Sequence, residues 1–214
     1  MPDGSTLNPP RMGAELYCAP MRNSAVSDSD EALMLAFAAG SLTDFDALYA
    51  RHRRGLYAFI ARLPGSQEIA VDDIFQDTWL AVTRARANYR PSASFRTWLY
   101  QIARNRVIDR LRTKRPVLAS ELQAPGDDDY FESVPDSGAN TPDQLLQQSD
   151  QAAALARALA ALPVEQREVF LLRMEAELPL EEIAQLIRVN PETAKSRLRY
   201  ATAKLRAALR GIWP

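Results

Sequence analysis

Three stretches of this chain carry side chains whose types and spacing can do chemistry. The first is NYRPSASFRTWLYQIARNRVIDRLRTKR, residues 88–115. Tyr89, Phe95, Trp98 and Tyr100 alternate there with Arg90, Arg96, Arg104, Arg106, Arg110, Arg112, Lys114 and Arg115. Aromatic faces stack on unpaired bases, and arginines hold a nucleic-acid backbone. Ser92, Ser94, Thr97 and Asn105 can hydrogen-bond the edges of an extruded base. The plainer reading makes Phe95, Trp98, Leu99 and Ile102 core, and it holds for most of them. Trp98 and Leu99 are adjacent, however, and cannot both face the same way. Spare aromatics, a proline-containing loop and dense arginine suit single-stranded DNA better than duplex.

The second stretch is LEEIAQLIRVNPETAKSRLRY, residues 180–200. Leu180, Ile183, Leu186 and Ile187 share one helical face, and Ala184 is small enough for a close helix crossing. After a short turn, Asn190 is suited to accept a hydrogen bond from an exposed amide at a helix start. Pro191 suits the first helical position, and Glu192 complements the positive helix end. The next helix offers Thr193, Lys195, Ser196, Arg197, Arg199 and Tyr200 outward, with Ala194, Leu198, Ala201 and Leu205 inward. This is a helix-turn-helix pattern, whose second helix is shaped for a major groove. Arg can read guanine edges, and Lys and Ser can hold phosphates. Arg188 stands where such turns usually have Gly, and Ala194 where Val or Ile is usual. The third stretch, DDIFQDTWLAV, sets Asp72, Asp73, Gln76 and Asp77 on a polar face over an apolar stripe. Such an acidic face suits a basic protein partner.

Other chemistries drop out. The 214 residues include one cysteine, Cys18, and one histidine, His52. They allow no internal disulfide, no Cys-based zinc site and no histidine cluster. There is no phosphate-cradling Gly loop, nucleophile–His arrangement or evident carboxylate pair, so no enzyme or cofactor is expected. No apolar run approaches the roughly 20 residues of a membrane span, and no signal pattern opens the chain. A cytoplasmic protein is expected.

The elements that hold these stretches are helical. Ala and Leu dominate, with Arg and Glu, and these residues lose little entropy in helices. Residues 1–27 contain Pro2, Pro9, Pro10 and Pro20 without helical period, which predicts a mobile tail containing Cys18. Helices are expected from Asp30 to Gly40, from Thr43 or Asp44 to Pro64, over Val71–Ala87, and from Ser94 to before Pro116. Further helices are expected over Pro142–Leu162, Glu165–Glu175, Leu180–Ile187 and Pro191–Leu209. The chain therefore reads as all-α, with a domain at 28–113, an acidic linker at 114–142 and a second domain at 143–214.

Charge follows that division. Net charge is −1, yet residues 51–115 carry 14 basic and 5 acidic groups, and residues 116–150 carry 8 acidic groups and no basic one. Residues 179–214 carry 7 basic and 3 acidic groups. Two basic blocks split by an acidic one suggest two modules that each meet a polyanion. The linker acids Asp127, Asp128, Asp129 and Glu132 either fold back on the basic faces or, more plainly, keep the tether extended and soluble.

Both domains resemble the extracytoplasmic-function group of the bacterial sigma-70 family. DxxxQDTWLAV with NYRPSASFRTWLYQIARNRVIDRLR is similar to its region 2. LPVEQREVFLLRMEAELPLEEIAQLI with NPETAKSRLRYATAKLRAAL is similar to its region 4. The resemblance covers residues 30–113 and 150–210, in the family's order. It implies that Asp72, Asp73, Gln76, Asp77 and Trp79 dock on the β′ clamp helices of core RNA polymerase. It implies that Asn88, Tyr89, Arg90, Ser92, Ser94, Phe95, Arg96 and Trp98 surround a flipped −10 base, with Asn105 and Asp109 facing the melted strand. Thr193, Lys195, Ser196, Arg197, Arg199 and Tyr200 would read the −35 element, and an anti-sigma factor would be a further partner. The competing reading is a stand-alone helix-turn-helix repressor or activator, which leaves the aromatic–arginine segment and the acidic helix unexplained.

Overall fold

The computed structural model describes residues 29–113 and 142–210, with backbone alone for 142–149. The expectations placed on the tail, including Cys18, and on the linker acids Asp127, Asp128, Asp129 and Glu132 lie outside the described residues. Every regular element described is a helix: α1 (Asp30–Ala38), α2 (Leu42–Arg62), α3 (Val71–Ala85), α4 (Phe95–Thr113), α5 (Pro142–Ala160), α6 (Val164–Met174), α7 (Leu180–Ile187) and α8 (Pro191–Ala208). None is long and apolar enough to cross a membrane.

Local chemistry sets the ends. The Ser29 hydroxyl accepts from the Ala32 amide at 3.2 Å, with Asp30 and Glu31 in the first turn of α1. Gly40 then takes φ 109°, which few other residues adopt, and turns the chain into α2. The expected end of α3 at Ala87 is too long, because Arg86–Asn88 tighten into a 3-10 turn. α5 stops at Ala160, not Leu162, before Pro163, which cannot continue a helix.

The predicted apolar stripes are buried. Leu33, Met34 and Phe37 of α1 meet Leu48, Leu56, Phe59 and Ile60 of α2 and Ile74 and Val82 of α3. In the second domain Val169, Leu171, Leu172, Ile183, Ala201 and Leu205 close the core. The two domains do not stand apart. Their buried apolar residues form one continuous cluster, and Arg167 ties the backbone of Leu63 to that of Leu159 and Leu162. Arg167 of α6 is buried there and, among the described residues, pairs with carbonyls and not with a carboxylate. Its Nε donates to the Leu63 carbonyl at 3.0 Å, and its Nη1 faces the carbonyls of Leu159, Ala160 and Leu162 at 3.0–3.3 Å. Gly65 makes room, because a Cβ there would stand 2.5 Å from that guanidinium.

Candidate nucleic-acid interface

The helix-turn-helix is built by short-range contacts. α7 ends with Arg188 in the left-handed region, φ 59° and ψ 50°, where the Val189 amide reaches back to the Ala184 carbonyl at 3.0 Å. That conformation costs a non-glycine residue roughly 1 kcal/mol. Arg188 therefore takes the geometry that glycine usually supplies at this turn, with its side chain exposed. Asn190 Oδ1 accepts from the Thr193 amide at 2.7 Å, and Pro191 opens α8. Ala184 and Ala194 are buried at 2% and 0% exposure. The outer face of α8 presents Lys195, Arg199 and Tyr200, all exposed, while Thr193, Ser196 and Arg197 are half-buried. The Arg199 guanidinium lies 5.1 Å over the Tyr200 ring. Ser196 donates to the Thr193 carbonyl at 3.0 Å.

The segment before α4 is held differently. Ser94 Oγ accepts from the Thr97 amide at 3.2 Å, and Glu31 Oε1 accepts from the Phe95 amide at 2.7 Å. That backbone hydrogen bond holds the Glu31 carboxyl below its ordinary value. Asp30 sits beside it, pairing with His52 Nε2 at 2.8 Å and Arg51 at 2.6 Å. Partial burial raises the Asp30 carboxyl, but the hydrogen bonds and charges of His52 and Arg51 outweigh it and hold it at about 2. Asp30 also lies 3.6 Å from Arg96 Nε. His52 packs against Phe95, with ring centroids 5.4 Å apart.

Three expected contact residues are taken up by packing. Phe95 is fully buried, and Tyr89 is 5% exposed. Their rings pack at a tilt against half-buried Trp98, the Tyr89–Trp98 centroids lying 5.1 Å apart. These rings form the floor under the loop, so Tyr89 and Phe95 do not present their faces to a base. Burial, then the charges of Glu31 and Asp30, push the Tyr89 phenol up to about 12. Trp79 is likewise 6% exposed, caged by Phe45, Tyr49 and Phe75, because it lies on the apolar stripe of α3. It does not project toward a partner. Asn88, Arg90 and Ser92 are exposed, and Ser94 and Arg96 are half-buried. Asn105 and Asp109 are exposed one turn apart on α4.

Asp72, Asp73, Gln76 and Asp77 all lie exposed on α3, opposite its buried Ile74, Thr78 and Val82. Asp77 lies 3.8 Å from Arg106. The Tyr57 phenol is pushed up by burial and by its hydrogen bond with Asp72. Among the described residues no group of His, Cys, Asp and Glu could hold a metal ion.

Sequence reasoning missed Glu31 and the second-domain acids Glu168, Glu177 and Glu182, which meet donors of the first domain. Glu168 pairs with Arg104 at 2.5 Å, and Glu182 accepts from Ser94 at 2.7 Å. The partners are 64 and 88 positions apart. No periodicity or motif signals pairings at that distance.

Comparison with known proteins agrees with this architecture. Residues 48–117 match the sigma-70 region 2 family, and residues 152–205 match sigma-70 region 4. The ECF RNA polymerase sigma factor SigM of Mycobacterium tuberculosis is 34% identical over 177 residues, spanning 83% of each chain. The solved structure of CnrH with the cytosolic domain of CnrY superposes with a TM-score of 0.60 at 27% identity, over 86% of this chain and 98% of that one. The sigma factor RpoE of Bartonella quintana, solved with the anti-sigma factor NepR, shares the fold at 20% identity, with a TM-score of 0.57 over 78% of this chain and 98% of that one. The chain belongs to the extracytoplasmic-function group of sigma-70 family RNA polymerase sigma factors. It is an alternative sigma factor, which binds core RNA polymerase and directs it to promoter DNA. Sigma factors are not catalytic enzymes.

Proposed function

We propose a division of labour among three surfaces. The exposed face of α3, with Asp72, Asp73, Gln76 and Asp77, docks on the clamp helices of core polymerase. Asn88, Arg90, Ser92, Ser94 and Arg96 surround an extruded −10 base, on a floor of Tyr89, Phe95 and Trp98. Asn105 and Asp109 follow the melted strand. Thr193, Lys195, Ser196, Arg197, Arg199 and Tyr200 on α8 read the −35 duplex. Trp79 serves the docking face from beneath, by fixing α3. The domains act as units of about 28–113 and 143–214, and the protein works in the cytoplasm.

The observation that carries this reading is the separation of exposed charge, acidic on α3 and basic on α8. Charges of one sign on a rigid helix steer a partner of the opposite sign. The complex of the RpoE neighbour with an anti-sigma factor supports an anti-sigma protein as a further partner. The test is size exclusion of the protein with bacterial core polymerase. The unaltered chain should co-elute, and Asp72→Ala/Asp73→Ala/Asp77→Ala should not. Equal co-elution of both would remove the docking role from α3.

A further inference from the structure

A cleft of about 260 Å³ opens beside the end of α4. Its walls include Gln67 of the α2–α3 connection, Ile108, Leu111 and Arg112 of α4, and Val164 and Arg167 of α6. None of these side chains belongs to the docking face, the −10 loop or the −35 helix proposed above. Ile108 and Leu111 are half-buried and Val164 is exposed, so one wall is apolar and open to a ligand. Among the described residues, none that lines the cleft is acidic.

Three features of the cleft favour negative charge. Arg167 is 6% exposed, and its Nε and Nη1 are taken by carbonyls, while its Nη2 makes no hydrogen bond among the described residues. Carbonyls carry no net charge, and burial pulls the Arg167 guanidinium below its ordinary value. A buried charge without an opposite charge is costly, and an anion beside it would offset that cost. Arg112 is exposed and forms no ion pair among the described residues. Finally, α6 begins at Val164 with no side-chain cap, and uncapped amides at a helix start attract anions. The planar fork of arginine matches the oxygens of a carboxylate or a phosphate.

We propose that this cleft binds an amphipathic oxyanion: a carboxylate or phosphate held by Arg112, Arg167 and the start of α6, with its apolar body against Ile108, Leu111 and Val164. Gln67, exposed at the rim, adds an amide that can donate to the oxyanion. The oxyanion has two possible sources, a free small molecule or the carboxylates of the chain's own acidic stretch, which begins within a few residues of Arg112. Both offer the cleft the same group, and the titrations below tell them apart.

The test is calorimetric titration of the full chain with phenyl phosphate, inorganic phosphate and phenol. Phenyl phosphate should bind saturably, and at least about tenfold more tightly than either of the other two. Arg112→Gln should weaken it about tenfold. Arg110→Gln, the same charge change at an exposed position outside the cleft, should leave it unchanged. Val164→Glu sets a carboxylate of the chain at the mouth of the cleft and should abolish binding. All three substituted positions are exposed, so each variant keeps the buried core. The titrations are repeated on a chain whose acids within 116–141 are changed to amides. Binding seen in that chain alone would assign the oxyanion to the chain's own carboxylates, and equal binding in both chains would assign it to a free molecule. No saturable binding in either chain would overturn the site. So would unchanged binding in Arg112→Gln or Val164→Glu, or an equal loss in Arg110→Gln, which would reduce the effect to net charge. Equal affinity for phenyl phosphate and inorganic phosphate would overturn the amphipathic ligand.

Discussion

The two DNA-facing parts of this sigma factor are positioned in opposite ways. α8 is set by its immediate neighbours: Arg188 turns the chain, Asn190 caps the helix and Pro191 starts it. The segment before α4 is set from a distance. Its Phe95 amide is capped by Glu31, 64 positions away, and its hydroxyls and arginines are met by acids of the other domain. A reading helix built locally can be rigid in any context. A loop built by tertiary contacts depends on the state of the whole molecule, and that dependence can be used for control.

The largest test of the contrast removes the floor of the distant-contact site. Phe95→Ala empties a fully buried position and should cost about 3–5 kcal/mol in denaturant unfolding. A loss below about 1 kcal/mol would show that the loop does not depend on its floor. Acid comes next. The Asp30 carboxyl lies at about 2 when folded against 3.8 for the free group. Its stabilisation is complete above pH 3.8 and is lost as pH falls toward 2. About 2 kcal/mol should therefore disappear in that window, and Asp30→Asn should remove this component from the pH dependence of melting.

The locally built site should respond less. Asn190→Ala should cost about 1 kcal/mol by leaving the Thr193 amide uncapped. Arg188→Gly should act in the other direction, stabilising by up to about 1 kcal/mol, since glycine takes φ 59° without strain. A destabilised glycine variant would mean that the Arg188 side chain contributes more than its backbone costs. Lys195→Ala should shift stability by less than about 0.5 kcal/mol. In duplex binding it should lower the slope of log affinity against log salt by about 1. An unchanged slope would take Lys195 off the phosphates.

The same contrast explains what could be read in the sequence. α7 spans the residues its apolar period marks, and Asn190 caps α8 as its position suggests, because both depend on residues a few positions apart. The polar face of α3 was legible for the same reason. Its tryptophan was not: Trp79 falls on the buried stripe, and a tryptophan beside an acidic face looks like an anchor until Phe45 and Tyr49 are seen to enclose it. Tyr89 and Phe95 show the same ambiguity, since aromatic rings serve bases and cores equally well. The closure of the two domains was the least legible feature. A chain read as two modules on a tether gave no sign that Arg104 would meet Glu168, or that Gly55 leaves room for the Glu175 carbonyl of the other domain.

Arg167 sets what kind of motion the molecule permits. It fastens the end of α2 to the start of α6 through carbonyls, which carry no net charge. Elsewhere between the domains, Arg96 and Glu177 are held by charge at the surface. Salt screens exposed ion pairs and reaches buried short-range bonds much less. Raising the ionic strength should therefore not simply scatter the domains. It should release one edge and keep the other, so that the molecule swings open about a pivot at Leu63, like a book held at the spine.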